Sequence, residues 1–142
     1  GMVGVIYNTT MIEGEPKSWS LLWDEKYKGK ILNFNNSRDA FAVAQFYLGL
    51  DINGNDKSDW DKAYESLAAQ KEILQSYVMD EVFNLMEGGS AAMVPYYAGD
   101  FLTMYANNDD LAFVYPKEGT NIFVAYLPDC TISILKVFVH KS

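Results

Sequence analysis

Residues 18–39 constrain the fold more than any other stretch, because they read as helix, turn, strand, polar loop and helix in immediate succession. Pro16 and Ser18 open a short helix containing Trp19 and Trp23, which stand four positions apart and are predicted to share a face. Gly29 closes the charged run Asp24-Glu25-Lys26-Tyr27-Lys28 with a turn at positive φ. Ile31-Leu32-Asn33-Phe34 is apolar enough for a short buried strand, and Asn36, three residues before Asp39, caps the next helix. A strand entered from one helix and left through a polar loop into another belongs to an α/β sheet. In such sheets ligands gather at the loops that leave the carboxyl ends of strands, so residues 35–39 are the first candidate site.

The rest of the chain keeps the alternation. Residues 3–7 are strand-like, and a helix over about 38–48 places Phe41, Ala44 and Leu48 on one face before stopping at Gly49. Asp51-Ile52-Asn53-Gly54-Asn55-Asp56 begins like a calcium loop. It departs at Asp56, where glycine makes the sharp turn, and at Lys62, where a bidentate glutamate belongs, so a polar connector with a capping box at Ser58 and Asp61 is expected. The next helix, about 59–74, carries Trp60, Tyr64, Leu67 and Leu74 at helical spacing, interrupted by Lys71. An extended piece at 75–78 precedes a helix at 80–87, which Gly88-Gly89 ends. In the strand at 91–97, Pro95 has no backbone N–H and is expected near the strand's end or at an edge. A helix follows from Ala98 to about Ala106, and strands at 111–115 and 122–127 flank the turn Pro116-Lys117-Glu118-Gly119. The pattern predicts one α/β domain over 1–128 with its sheet covered on both faces. After Asp129 the chain has no acidic residue, and 129–142 forms an atypical tail, expected to be either a last strand or a foreign end.

Composition narrows the function. A chain of 142 residues with 49% hydrophobic content can bury roughly two-thirds of its unfolded surface in one core. Its net charge of −8 leaves no surplus of lysine and arginine to displace counterions from nucleic acid. One cysteine, Cys130, excludes an internal disulfide, and no apolar run reaches membrane-spanning length. Gly1-Met2-Val3-Gly4 leads straight into the first strand rather than a signal peptide, so the chain is expected to begin inside a larger fold. No nucleophile elbow, phosphate loop, dinucleotide fingerprint or zinc-protease motif occurs, and the sole histidine, His140, lies near the end. Binding is better supported. Tyr96, Tyr97, Gly99 and Asp100 cluster where a strand gives way to a helix, and rings beside a carboxylate suit an alkylammonium ligand. Strand-end packing and helix-start charge account for the same residues, as capping does for Asn36 and Asp39.

Ser18-Trp19, Leu22-Trp23-Asp24 and Lys26-Tyr27-Lys28-Gly29-Lys30-Ile31 resemble the hallmark of the spermidine/putrescine-binding proteins of bacterial ABC importers. Gly4-Val5-Ile6-Tyr7-Asn8, Asn36-Ser37-Arg38-Asp39, Leu48-Gly49 and Pro116-Lys117-Glu118-Gly119-Thr120-Asn121 keep that family's order, and the likeness covers about residues 3–124. The resemblance implies a periplasmic-binding-protein type II lobe, a central, mostly parallel sheet flanked by helices. It further implies that this is an incomplete second lobe, with the ligand clamped between two lobes in the whole protein. Asp39 matches an acidic residue that binds an amine, and Tyr97 and Phe123 match aromatic rings along the ligand's methylene chain. Asn36 replaces the usual aspartate, and Ala125 stands where a further aspartate is typical. The implied partners are a cationic solute and an ABC permease, outside the cytoplasmic membrane, with no cofactor, metal or catalysis. The branch also holds binders of iron and other small solutes. The alternatives are therefore a lobe for another small solute, such as iron or another cation, or a domain that self-associates through an open sheet edge without binding ligand.

Overall fold

A computed structural model describes residues 3–51 and 56–119. Five strands, β1 (Val3–Asn8), β2 (Ile31–Phe34), β3 (Leu74–Val78), β4 (Met93–Tyr97) and β5 (Leu111–Val114), form one sheet in the order β3-β2-β4-β1-β5. β2 runs parallel to β3 and β4, whereas β1 runs antiparallel to both β4 and β5. Four strands thus share a direction and β1 opposes them, which makes the sheet mixed. All six residues of β1 are buried, as expected of a strand with neighbours on both edges and helices near both faces. Its Gly4 is needed for close approach to β5, since a Cβ there would lie 2.6 Å from the Val114 carbonyl oxygen.

Four helices connect the strands: α1 (Ser37–Leu48), α2 (Lys57–Lys71), α3 (Glu81–Glu87) and α4 (Ala98–Asn107). The crossover from β2 through α1 and α2 leads to β3 on one side. Those from β3 through α3 and from β4 through α4 lead the other way across the sheet. Right-handed crossovers in opposite directions place α1 with α2 on one face and α3 with α4 on the other, and each pair packs together. The direction of connection reverses between the neighbouring parallel strands β2 and β4. That reversal is a topological switch point, the crevice where open α/β sheets hold ligands.

Helix boundaries follow local chemistry. Asn36 caps α1 by accepting from the Arg38 N–H at 3.0 Å, and Gly49 ends it at φ 70°. Asp56, rather than Ser58, caps α2, accepting from the Ser58 N–H at 2.8 Å. The tryptophan segment forms a 3₁₀ helix over Trp19–Trp23 instead of an α-helix. At three residues per turn, positions four apart diverge, so the two indoles do not share a face. Trp19 is wholly buried against Phe46, with ring centroids 6.2 Å apart, while half-buried Trp23 stacks on Tyr47 at 4.2 Å.

Three further expectations are corrected. On α1 the buried positions are Ala40, Val43, Ala44 and Gln45; Leu48 is exposed, and Phe41 leans on Trp60 of α2 at 5.4 Å. On α2, Trp60 and Tyr64 face outward and Ala63 and Gln70 are buried. A polar network sets that rotation: the Gln70 amide donates to the Leu22 carbonyl at 2.9 Å and accepts from Asn33 Nδ2 at 2.8 Å. Buried side-chain amides must be satisfied, and turning Trp60 inward would carry Gln70 away from both partners. Pro95 sits in the middle of a central strand opposite Val5. It is tolerated there because the pairing of β4 with β2 is confined to Ile31 and Met93. The strand expected at 122–127 and the tail at 129–142 lie outside the described residues.

Candidate ligand-binding site

The carboxyl ends of β2 and β4 carry Phe34 and the pair Tyr96-Tyr97, with α1 starting just beyond β2 and α4 directly after β4. The two tyrosine rings lie against each other with centroids 4.8 Å apart, and their hydroxyls reach different partners. Tyr96 reaches the α3 side, where its hydroxyl donates to the Met79 carbonyl at 3.3 Å and its ring meets Phe83 edge-on at 6.4 Å. Tyr97 reaches the α1 side, where its hydroxyl donates to Asp39 Oδ2 at 2.6 Å. That bond spans the switch point. Phe34, buried beneath, touches both rings, at 5.5 Å to Tyr96 and 5.3 Å to Tyr97.

Asp39 is half-buried in the first turn of α1, where a negative charge also faces the positive end of the helix dipole. Its second donor is Asn36 Nδ2, 3.3 Å from the same Oδ2. Burial first, and then the hydrogen bond and charge of Asp39, push the Tyr97 phenol far above its ordinary range, so it is a fixed donor at any physiological pH. Burial also raises Tyr96, with smaller contributions from the charges of Asp100, Asp80 and Glu81. Glu81 is used locally, accepting from the Met79 N–H at 2.9 Å. None of Asp39, Asp80, Glu81 and Asp100 forms an ion pair with a described lysine or arginine. Rings flanked by uncompensated carboxylates attract a cation.

Of the five residues expected from sequence, Asn36, Asp39 and Tyr97 meet in one hydrogen-bonded group. Asp100, half-buried at the start of α4, acts on both tyrosines through its charge and takes no side-chain hydrogen bond from the described residues. Phe123 lies outside the described residues, as do His140 and Cys130. Phe34 and Phe83 were not expected here. Phe34 is the last residue of a strand running into the candidate loop, and that position is the signal that marks it. Among the described residues no group of three or more His, Cys, Asp or Glu side chains is arranged to hold a metal ion, and no helix is long and apolar enough to cross a membrane.

A second carboxylate ties the far end of the described chain to the tryptophan segment. Glu118 accepts from the Ser18 hydroxyl and, at 3.1 Å, from the Trp19 N–H, while the Trp19 indole donates to the Gly119 carbonyl at 2.6 Å. The Lys117 N–H donates to the Lys17 carbonyl at 2.8 Å. The tryptophan segment therefore anchors the turn from which the chain continues toward Phe123.

The profile of the bacterial extracellular solute-binding proteins matches residues 1–127. The chain is 27% identical over 125 residues to the spermidine/putrescine-binding periplasmic protein 1 of Haemophilus influenzae, a match covering 87% of this chain and 35% of that protein. It is 27% identical over 108 residues to the spermidine/putrescine-binding periplasmic protein of Escherichia coli K12, covering 74% of this chain and 31% of the relative. Among solved structures, the spermidine/putrescine ABC transporter substrate-binding protein of Streptococcus pneumoniae superposes with a TM-score of 0.81 at 27% identity. That match covers 85% of this chain and 38% of the other. The chain spans about a third of the length of these relatives. By profile, sequence and fold, it belongs to the bacterial extracellular solute-binding proteins.

Proposed function

We propose that this chain is the second α/β lobe of an extracytoplasmic polyamine-binding protein that delivers its solute to an ABC permease. The observation that carries the reading is the hydrogen bond from Tyr97 to Asp39, 2.6 Å long, across the switch point between β2 and β4. It holds a half-buried carboxylate beside aromatic faces, and the names of the relatives supply the solute class. Asp39 pairs with an ammonium group, Tyr97 and Phe34 border the methylene chain, and Asp100 adds negative potential. Phe123 provides a second ring along the chain. Asn36 provides an amide where a second acid would strengthen pairing. The solute is bound and released without chemistry.

Desolvating an ammonium group is costly unless all of it is paired, and the companion lobe supplies the remaining partners. The isolated chain is therefore expected to bind polyamines far more weakly than micromolar. Calorimetry with spermidine and putrescine should show no micromolar binding. NMR titration with putrescine should move resonances clustered at Asp39 and Tyr97, and Asp39→Asn should abolish those shifts. Shifts that survive in Asp39→Asn would overturn the site. Micromolar binding by the wild-type chain would overturn the division of the site between two lobes.

A further inference from the structure

Building on the reading of Asp39 as an amine acceptor, we infer that this site discriminates between cationic head groups. It takes an alkylammonium in preference to an alkylguanidinium, because Asp39 presents a ligand with one oxygen instead of two. Both donors that reach Asp39 end on Oδ2: the Tyr97 hydroxyl at 2.6 Å and Asn36 Nδ2 at 3.3 Å. No described residue donates to Oδ1. A carboxylate oxygen has two lone-pair positions, so Oδ2 is filled and Oδ1 keeps both.

Each donor is held in place by its own neighbours. The Tyr97 ring packs on Phe34 at 5.3 Å and on Tyr96 at 4.8 Å, which fixes where the hydroxyl points. Asn36 Oδ1 accepts from the Arg38 N–H at 3.0 Å, and that bond turns Nδ2 toward Asp39. An ammonium group is a compact charge whose donors rotate, so it is served by Oδ1 and the adjoining ring faces. A guanidinium gains most from two parallel hydrogen bonds to both oxygens of a carboxylate. With Oδ2 filled, one arm of the fork meets an oxygen already saturated by donors, and a desolvated N–H without a partner is unfavourable. Asn36 thus acts twice, removing an acid and occupying an oxygen of the acid that remains.

The test uses two monocations with one alkyl chain, n-butylammonium and n-butylguanidinium, so that only one head group can occupy the site. Each is titrated into the 142-residue chain and followed by NMR at Asp39 and Tyr97, with putrescine as reference. Losing one hydrogen bond should make butylguanidinium about three- to tenfold weaker than butylammonium. Tyr97→Phe, which keeps the ring, should narrow that ratio, and Tyr97→Phe with Asn36→Ala should erase or reverse it; melting curves check that both variants fold. If the wild-type chain binds butylguanidinium as tightly as butylammonium, with shifts at Asp39, the preference is wrong and the amine site stands. If none of the three cations shifts Asp39 or Tyr97, the amine site is wrong and the preference goes with it. A ratio unchanged in both folded variants would overturn the role given to Oδ2.

Discussion

Glu118 and Asp39 each lie against a helix start and beside an aromatic ring, and they are used in opposite ways. Glu118 engages both oxygens, one with the Ser18 hydroxyl and the other with the Trp19 N–H, at the start of the 3₁₀ helix. Its neighbouring indole is wholly buried and hydrogen-bonded. Asp39 engages one oxygen, with Tyr97 and Asn36, and the ring beside it stays partly open to solvent. A carboxylate whose bonds are spread over both oxygens, as in Glu118, ties two chain segments together and offers a ligand no wholly open oxygen. One that is oriented by the protein but half-engaged is suited to binding. Residue type does not separate the two cases, since each carboxylate accepts two bonds; their distribution over the two oxygens does.

The comparison predicts that damage at the first carboxylate appears as lost stability and damage at the second as lost binding. Trp19→Ala should have the largest effect. It removes a buried indole, its stacking on Phe46 and its bond to Gly119, and should destabilise by about 3–5 kcal/mol in urea unfolding. Glu118→Ala leaves the Trp19 N–H and the Ser18 hydroxyl without their partner and should lower stability by about 2–3 kcal/mol, read in the same experiment. Asp39→Asn should weaken putrescine binding by at least about 2 kcal/mol, more than roughly thirtyfold and beyond detection in the same titration, by removing a charged acceptor. Its stability should change by less than about 1 kcal/mol, because the asparagine carbonyl can still accept from Tyr97 and only the charge facing the helix dipole is lost. A large loss of stability in Asp39→Asn would erase the distinction between the two carboxylates.

The smallest effect is an alkaline one. Burial raises Tyr115 from 10.0 to about 12, and Tyr97 is raised further by burial and by Asp39. Both phenols hold their proton more tightly folded than unfolded. Their contribution to stability is full below pH 10 and declines as pH rises from about 10 to 12, because the unfolded chain ionises first. Thermal unfolding across that range should show the decline, and Tyr97→Phe should make it shallower.

Much of this was legible in sequence, and the gaps have physical causes. The cap at Asn36, the stop at Gly49 and the acid at Asp39 are local signals, and α1 follows them closely. The loop at the end of β2 could be singled out as a candidate ligand position because strand, loop and helix follow one another without interruption. The facing of α2 was not legible. A stripe of Trp60, Tyr64 and Leu67 looks like a core face, yet the buried amide of Gln70 turns the helix toward Leu22 and Asn33. Hydrophobic periodicity does not register a long-range polar bond. The same limit applied to the tryptophan segment. Ser18-Trp19 and Pro116-Lys117-Glu118-Gly119 were both recognisable, but their contact joins residues about a hundred positions apart and emerges only from the fold.

The division of labour between the two carboxylates is tested by setting them side by side. Putrescine is titrated into the wild-type chain, Asp39→Asn and Glu118→Gln, with the Tyr97 resonances as the readout and a melting curve for each protein. Asp39→Asn should melt close to wild type and lose the Tyr97 response, while Glu118→Gln should melt lower and, while still folded, retain it. A Tyr97 response that persists in Asp39→Asn, or that disappears in folded Glu118→Gln, would contradict that division.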